Sequence, residues 1–237
     1  MLSEVHRSPQ GPYLDLSHLF PKDVFAYVTL RGFVDVGPFG LARFLAARGH
    51  AGVRVHRLDQ VHSGRVATVE EAPCPADALV SLEPGEAVRV VAADCVPVLL
   101  AQRDGPAVAA VHAGWKGTVA RIVERAAECL REHYSGSLVA YVGPSVGPCC
   151  YTVDRDRHIL FAKTFPGWVG EAGDKPALDL GDLNTRLLLA AGVEPTSIHI
   201  EERCTACSDG LCCSYRRDGE RAGRMAALIG RRPRARS

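Results

Sequence analysis

The sequence predicts a layered α/β or α+β domain with a mixed sheet, and three observations carry that reading. Four apolar runs, Ala76–Ser81, Ala87–Ala92, Val96–Ala101 and Ala107–His112, are each too short for a helix, and the second and fourth are nearly continuous in small apolar residues. Strands covered on both faces have this composition. One longer stretch, Thr118–His133, places Val119, Ile122, Val123, Ala126, Ala127 and Leu130 at helical spacing, with Arg and Glu on the other face. Strands and helices also mix without the strict alternation of βαβ repeats.

The remaining elements follow in chain order. Val24–Leu30 is β-branched and aromatic and reads as a strand. Gly37-Pro38-Phe39-Gly40 forms a turn, and Leu41–Arg48 a short helix stopped by Gly49. Val53–Leu58 alternates like a half-buried strand, and Arg65–Val69 is placed to pair back on it as a hairpin. Leu138–Val142 is a strand, Asp154–Thr164 and Asp182–Ala191 are helices, Ser197–Ile200 is a last strand and Gly223–Ile229 a terminal helix. No repeat, linker or low-complexity stretch divides the 237 residues, so 1–237 is read as one domain, with 231–237 a frayed basic tail.

Composition excludes several classes. The hydrophobic fraction of 47% and charged fraction of 23% are those of a globular chain, not a disordered one. The net charge of +1 lacks the basic excess of a nucleic-acid binder. The most apolar segment, Val88–Ala101, is interrupted by Arg89 and Asp94, which argues against a membrane span, and MLSEVHRSPQ has no apolar core of a signal peptide. A cytoplasmic protein is expected. The nine cysteines are then free thiols available for packing, metal ligation or nucleophilic chemistry.

Three segments place one His or Cys where a strand gives way to a loop: Gln60-Val61-His62-Ser63-Gly64, Ala93-Asp94-Cys95-Val96-Pro97, and Val111-His112-Ala113-Gly114-Trp115-Lys116-Gly117. Two imidazoles and a thiolate, His62, Cys95 and His112, suit Zn²⁺, with copper as the competitor, and three protein ligands leave the fourth position of a catalytic site open. Asp94 would orient an imidazole or shuttle a proton. The same residues permit two other readings. One is a thiol hydrolase with Cys95 as nucleophile and His112 as base, oriented by Asp94 or Gln60; the other is a non-catalytic metal-binding protein. His62 discriminates, because a Cys–His dyad needs no second imidazole.

From Leu58 to Ala226 the strings LDQVHSG, AADCVPVLL, AAVHAGWKGT, VGPSVGPCCYTV and ERCTACSDGLCCSYRRDGERAGRMA occur in order. Together they resemble the YfiH-like, or laccase-domain (multicopper polyphenol oxidase), family. The resemblance implies a single α/β domain with zinc on His62, Cys95 and His112. It also implies phosphorolysis of adenosine, inosine, guanosine and methylthioadenosine, and deamination of adenosine, so that purine nucleosides and phosphate are the expected partners. The chain departs from the pattern at Ser63, where Gly is usual, at Cys212-Cys213, where an aromatic pair is usual, and at Ala222 in place of Thr. With nine His and no His-x-His, the chain lacks the ligands of a multicopper oxidase.

For phosphate, the sequence offers Lys116 at the start of the long helix and Arg216-Arg217, while Gln60 is a further substrate contact and Trp115 a cover for a purine face. Two mimics are set aside. His199-Ile200-Glu201 with Cys204 and Cys207 resembles a zinc-deaminase signature, but only two residues separate Glu201 from Cys204. Cys204, Cys207, Cys212 and Cys213 read as a loop with free thiols, since adjacent cysteines rarely chelate one ion, and Cys149-Cys150 reads as buried packing.

Overall fold

The computed structural model describes residues 2–169, 174–208 and 210–233. Among the described residues, twelve strands form two six-stranded sheets. The first contains β1 (Val5–Ser8), β2 (Gly11–Asp15), β3 (Val24–Thr29), β4 (Arg54–His56), β7 (Glu86–Ala92) and β12 (Met225–Arg231), in the order β1-β2-β3-β12-β7-β4. The second contains β5 (Val66–Thr68), β6 (Ala78–Ser81), β8 (Val96–Gln102), β9 (Val108–Ala113), β10 (Leu138–Val142) and β11 (Ile198–Ile200), in the order β11-β10-β8-β9-β6-β5. Both are mixed, with parallel pairs at β4·β7, β5·β6 and β10·β11.

Alternation along single strands explains the layering. On β8, Leu99 and Ala101 join Val88, Val90, Val28 and Ile229 in a core between the sheets, while Val96, Val98 and Leu100 face the opposite side. There they meet α3 (Ile122–His133), α4 (Arg155–Thr164) and α5 (Leu180–Ala190) through Ile122, Val123, Ala126, Phe161 and Leu187. The outer face of the first sheet is covered by α1 (Pro38–Ala46), whose Leu41, Phe44 and Leu45 pack on Phe25, Tyr27 and Leu228. Both faces of the central strands are dry, hence their unbroken apolar runs.

Four sequence expectations are corrected. The segment read as a terminal helix, Gly223–Ile229, contributes instead to β12, antiparallel between β3 and β7 in the middle of the first sheet. It is apolar on both faces, a pattern in which buried helix and buried strand look alike. Gly230 gives the deciding signal: a Cβ there would lie 2.5 Å from the Phe25 ring and 2.6 Å from the Glu86 carbonyl. Arg65–Val69 does not return on Val53–Leu58, because β4 and β5 belong to different sheets and the chain crosses between them. The long helix is broken at Arg121, whose φ of 57° separates α2 (Trp115–Val119) from α3. The basic tail does not begin at Arg231, which ends β12 with 4% of its surface exposed and its guanidinium on Asp23 and the Gln102 carbonyl. Residues 234–237 lie outside the described residues. A short helix, α6 (Tyr215–Asp218), completes the elements, and no described helix is long and apolar enough to cross a membrane.

Candidate active site

The crossing from β4 to β5 builds the first wall of the site. The Gln60 carboxamide bridges to Val91 of β7, donating to its carbonyl and accepting from its amide, both at 2.8 Å. Beyond it the amides of Val61, His62 and Ser63 and the Ser63 hydroxyl converge on one carboxylate, that of Asp77. This wrapping holds His62 at φ 59°, a left-handed conformation uncommon outside glycine. Cys95 follows Asp94, also at positive φ (91°), in the turn between β7 and β8, and His112 lies near the end of β9.

These three residues meet. Cys95 Sγ stands 4.0 Å from His62 Nε2, the two imidazoles are edge-to-face with centroids 4.8 Å apart, and the three ligand atoms lie within 4.8 Å of one another. A tetrahedral zinc site sets sulfur and nitrogen about 3.6 Å apart, from bonds of roughly 2.3 and 2.0–2.1 Å. The residues therefore fit such an ion. Gly114 leaves room for it: a Cβ there would lie 2.9 Å from Cys95 Sγ and 3.1 Å from the His62 ring.

His112 Nδ1 is 2.9 Å from Asp77 Oδ1, which leaves Nε2 as the ligating atom. The carboxylate that orients an imidazole is thus Asp77, not Asp94. Asp94 instead accepts the Thr205 hydroxyl at 2.6 Å and the Arg216 amide at 2.5 Å, and so ties the C-terminal segment to the site. Burial raises the Cys95 thiol, but hydrogen bonds from His112 and His62 outweigh it and bring the thiol to about 6. Burial likewise opposes charge on His112, yet Asp77 and Cys95 lift it to about 9. Asp77, fully buried, is pushed up by desolvation and brought down to about 2 by His112 and Ser63.

A testable consequence follows for Asp77. A carboxyl titrating near 2 when folded and near 3.9 when unfolded stabilises the fold by about 2–3 kcal/mol above both values, and the gain is lost as pH falls from roughly 4 towards 2. Asp77→Asn should flatten the metal-free protein's stability over that window, read from urea midpoints. It should also weaken zinc binding about 10–100-fold in chelator competition. Undiminished zinc affinity in the folded variant would remove Asp77 from the orienting role.

The ligand set forms one end of a cleft of about 970 Å³. Its other walls carry Arg57, Arg89, Arg216 and Arg224, with Tyr151 and Tyr215. Arg89 is 8% exposed, and its Nε has no hydrogen-bond partner among the described residues. Burial, with Arg57 nearby, lowers its pKa. Arg216 lies over the Tyr151 ring, 5.4 Å from its centroid.

Of the sequence-predicted contacts, Arg216 lines the cleft and Lys116 does not: its Nζ rests 5.6 Å from the Trp115 ring on exposed surface. Trp115 packs against the helical core, also outside the cleft lining. Gln60 lines the cleft, but both ends of its amide are engaged by Val91. Sequence reasoning missed Asp77, Arg57, Arg89, Arg224 and the two tyrosines. For Asp77 and Arg89 a signal exists, since each is a charge inside an otherwise apolar strand run.

Residues 41–232 match the family described as multi-copper polyphenol oxidoreductase laccase. The chain is 37% identical over 227 residues to a purine nucleoside phosphorylase of Deinococcus radiodurans, covering 86% of this chain and 88% of that one. It is 36% identical over 179 residues to purine nucleoside phosphorylase YfiH of Escherichia coli K12, covering 73% and 72%. The crystal structure of YlmD from Geobacillus stearothermophilus superposes with a TM-score of 0.82 at 29% identity, covering 96% of this chain and 98% of that one.

Proposed function

The chain belongs to the laccase-domain family, and from that premise we propose that it is a zinc-dependent purine nucleoside phosphorylase that also deaminates adenosine. The observation that carries this reading is the pairing, in one cleft, of an open His₂Cys ligand set with a wall of arginines that includes the buried Arg89. Adenosine, inosine, guanosine and methylthioadenosine share the purine and ribose portions that such a cleft can hold, and phosphate is the anion its arginines suit.

His62, Cys95 and His112 hold the zinc, which supplies Lewis-acid polarisation when bound. The protein's own groups do the rest. Arg89 and Arg57 hold phosphate as one of its oxygens forms the bond to C1′ and the bond from C1′ to the purine nitrogen breaks. Tyr151 and Tyr215 offer aromatic walls for the purine, and Asp94 positions both Tyr215 and Arg216 by holding the Arg216 amide. In deamination the reacting carbon is the purine C6: a water oxygen forms the bond to C6, the bond from C6 to the exocyclic nitrogen breaks, and the water's protons leave with that nitrogen as ammonia. We place this chemistry in the cytoplasm, where reducing conditions keep the nine cysteines out of disulfides.

Oxidase chemistry of the laccase type is not part of this reading, because the chain lacks paired His-x-His ligands. The hydrolase alternative gains one feature, the Asp77–His112–Cys95 order of a nucleophile relay. The second imidazole, His62, is superfluous to such a relay and supports the metal reading.

The test is incubation with each nucleoside, with and without phosphate, followed by chromatography. Free base and ribose-1-phosphate (5-methylthioribose-1-phosphate from methylthioadenosine) are expected only with phosphate, and inosine from adenosine in either case. Silence towards nucleosides, with Cys95 labelled by an electrophile, would favour the hydrolase instead, and silence on both counts a binding role. Lys116→Ala should leave the phosphate KM within about twofold, as for a surface substitution.

A further inference from the structure

A second group of sulfurs lies outside the cleft, where two loops meet. After β10, Gly147–Tyr151 makes a tight turn in which the amides of Cys150 and Tyr151 both donate to the Gly147 carbonyl, at 3.0 and 2.9 Å. The other loop, Cys204–Ser208, closes on itself through Ser208 N to Cys204 O and Cys204 N to Ser208 Oγ, both 3.0 Å. A bridge between Ser145 and Cys204 aligns the two, with Thr205 N donating to Ser145 O at 2.9 Å.

The sulfurs of Cys149, Cys150, Cys204 and Cys207 all lie within 4.8 Å of one another, and Cys149 Sγ is 3.6 Å from Cys207 Sγ. A tetrahedron of thiolates around zinc has edges of about 3.8 Å, whereas a disulfide requires roughly 2.05 Å. The backbone amides of Gly147 (3.2 Å), Ala206 and Cys207 are directed at Cys204 Sγ, the donor pattern that stabilises a thiolate. Cys149 and Cys207 are exposed and Cys150 half-buried, so this is not the buried packing the sequence suggests for Cys149-Cys150. The objection to adjacent ligands assumes a strand, where neighbouring side chains point apart. In this turn both sulfurs come within 4.8 Å of those of Cys204 and Cys207 on the opposite loop.

We propose that Cys149, Cys150, Cys204 and Cys207 form a second, closed zinc site that staples the Gly147–Tyr151 turn to the Cys204–Ser208 loop. With four protein ligands and no open position, the site is structural. It steadies one wall of the cleft. Tyr151 lines that cleft directly after Cys150, and Thr205 holds Asp94 while its carbonyl accepts from Arg217 at 3.0 Å.

Protein purified without added metal should contain two zinc equivalents, one of them retained by His112→Ala and absent from Cys204→Ser/Cys207→Ser. Cobalt-substituted His112→Ala should show the intense sulfur-to-metal charge transfer of a four-thiolate site, weakened in a further Cys207→Ser background. If the double variant fails to fold, the exposed single variants Cys149→Ser and Cys207→Ser carry the same test. Zinc content unchanged by these cysteine substitutions would overturn the proposal. So would two missing thiols without metal, the mark of a disulfide. Because His112→Ala removes only the first site, failure of one assignment leaves the other measurable.

Discussion

Alanine at His62, Cys95 or His112 is expected to lower the zinc content by one equivalent per chain and to abolish phosphorolysis and deamination together. The loss follows from geometry. The three ligand atoms come from three separate segments, each anchored on its own: His62 by the loop amides wrapped on Asp77, Cys95 by the turn after Asp94, and His112 by β9 with its Nδ1 on Asp77. Removing one leaves two correctly placed donors, which is too few for a tetrahedral ion with an open position. Lewis-acid assistance is worth several kcal/mol, so kcat/KM should fall on the order of 10³-fold or more. Fold stability separates the variants. His112→Ala leaves the Asp77 carboxylate buried without its imidazole and should be the least stable, whereas His62 is exposed and His62→Ala should melt close to the metal-free parent. Metal retained in all three folded variants would refute the ligand assignment. Metal lost from all three with turnover intact would refute its catalytic use.

How much of this was legible in the sequence depended on whether the signal is local. The three candidate ligands stand out in the sequence only as a set, because each of His62, Cys95 and His112 falls where an apolar run gives way to a loop. Continuous apolar runs also marked the central strands Val88–Val91 and Val108–Val111 correctly. What sequence reasoning lost is pairing across distance. Asp77 carries no marker of its target, since the contact with His112 exists only because β6 and β9 are adjacent. Asp94, next to Cys95 in the chain, is the orienter the sequence offers until the sheet is built. Then Asp94 is found to face Thr205 and Arg216 instead. The cysteines show the same limit. Cys204 and Cys207 sit near Cys212 and Cys213 in sequence, but Cys212 is buried between the sheets, while Cys149 and Cys150 arrive from another loop. Lys116 illustrates the converse error. Four positions after a ligand places it close along the chain, yet it opens α2 and is carried to the surface.

Replacing Arg89 by Met is expected to raise the phosphate KM about 10–100-fold while leaving the fold as stable as before, or more so. Arg89 stands in the middle of β7, opposite Leu228 of β12, in a position an apolar residue would fill without difficulty. Its guanidinium is buried, its Nε is unpartnered among the described residues, and Arg57 nearby is a like charge. A buried cation so placed is a cost to folding, which an apolar residue of similar volume removes. The same feature is an advantage to a site that must receive a dianion, because phosphate supplies the missing acceptors. Loss of one charge-assisted contact of this kind amounts to about 1.5–3 kcal/mol, the 10–100-fold given above. Deamination, which takes water rather than phosphate, should change far less. Affinity and stability therefore move in opposite directions, which a merely structural arginine would not produce. A lower melting temperature with equal loss of both activities would return Arg89 to the scaffold. An unchanged phosphate KM would move the anion site to Arg216 or Arg224, which line the same cleft.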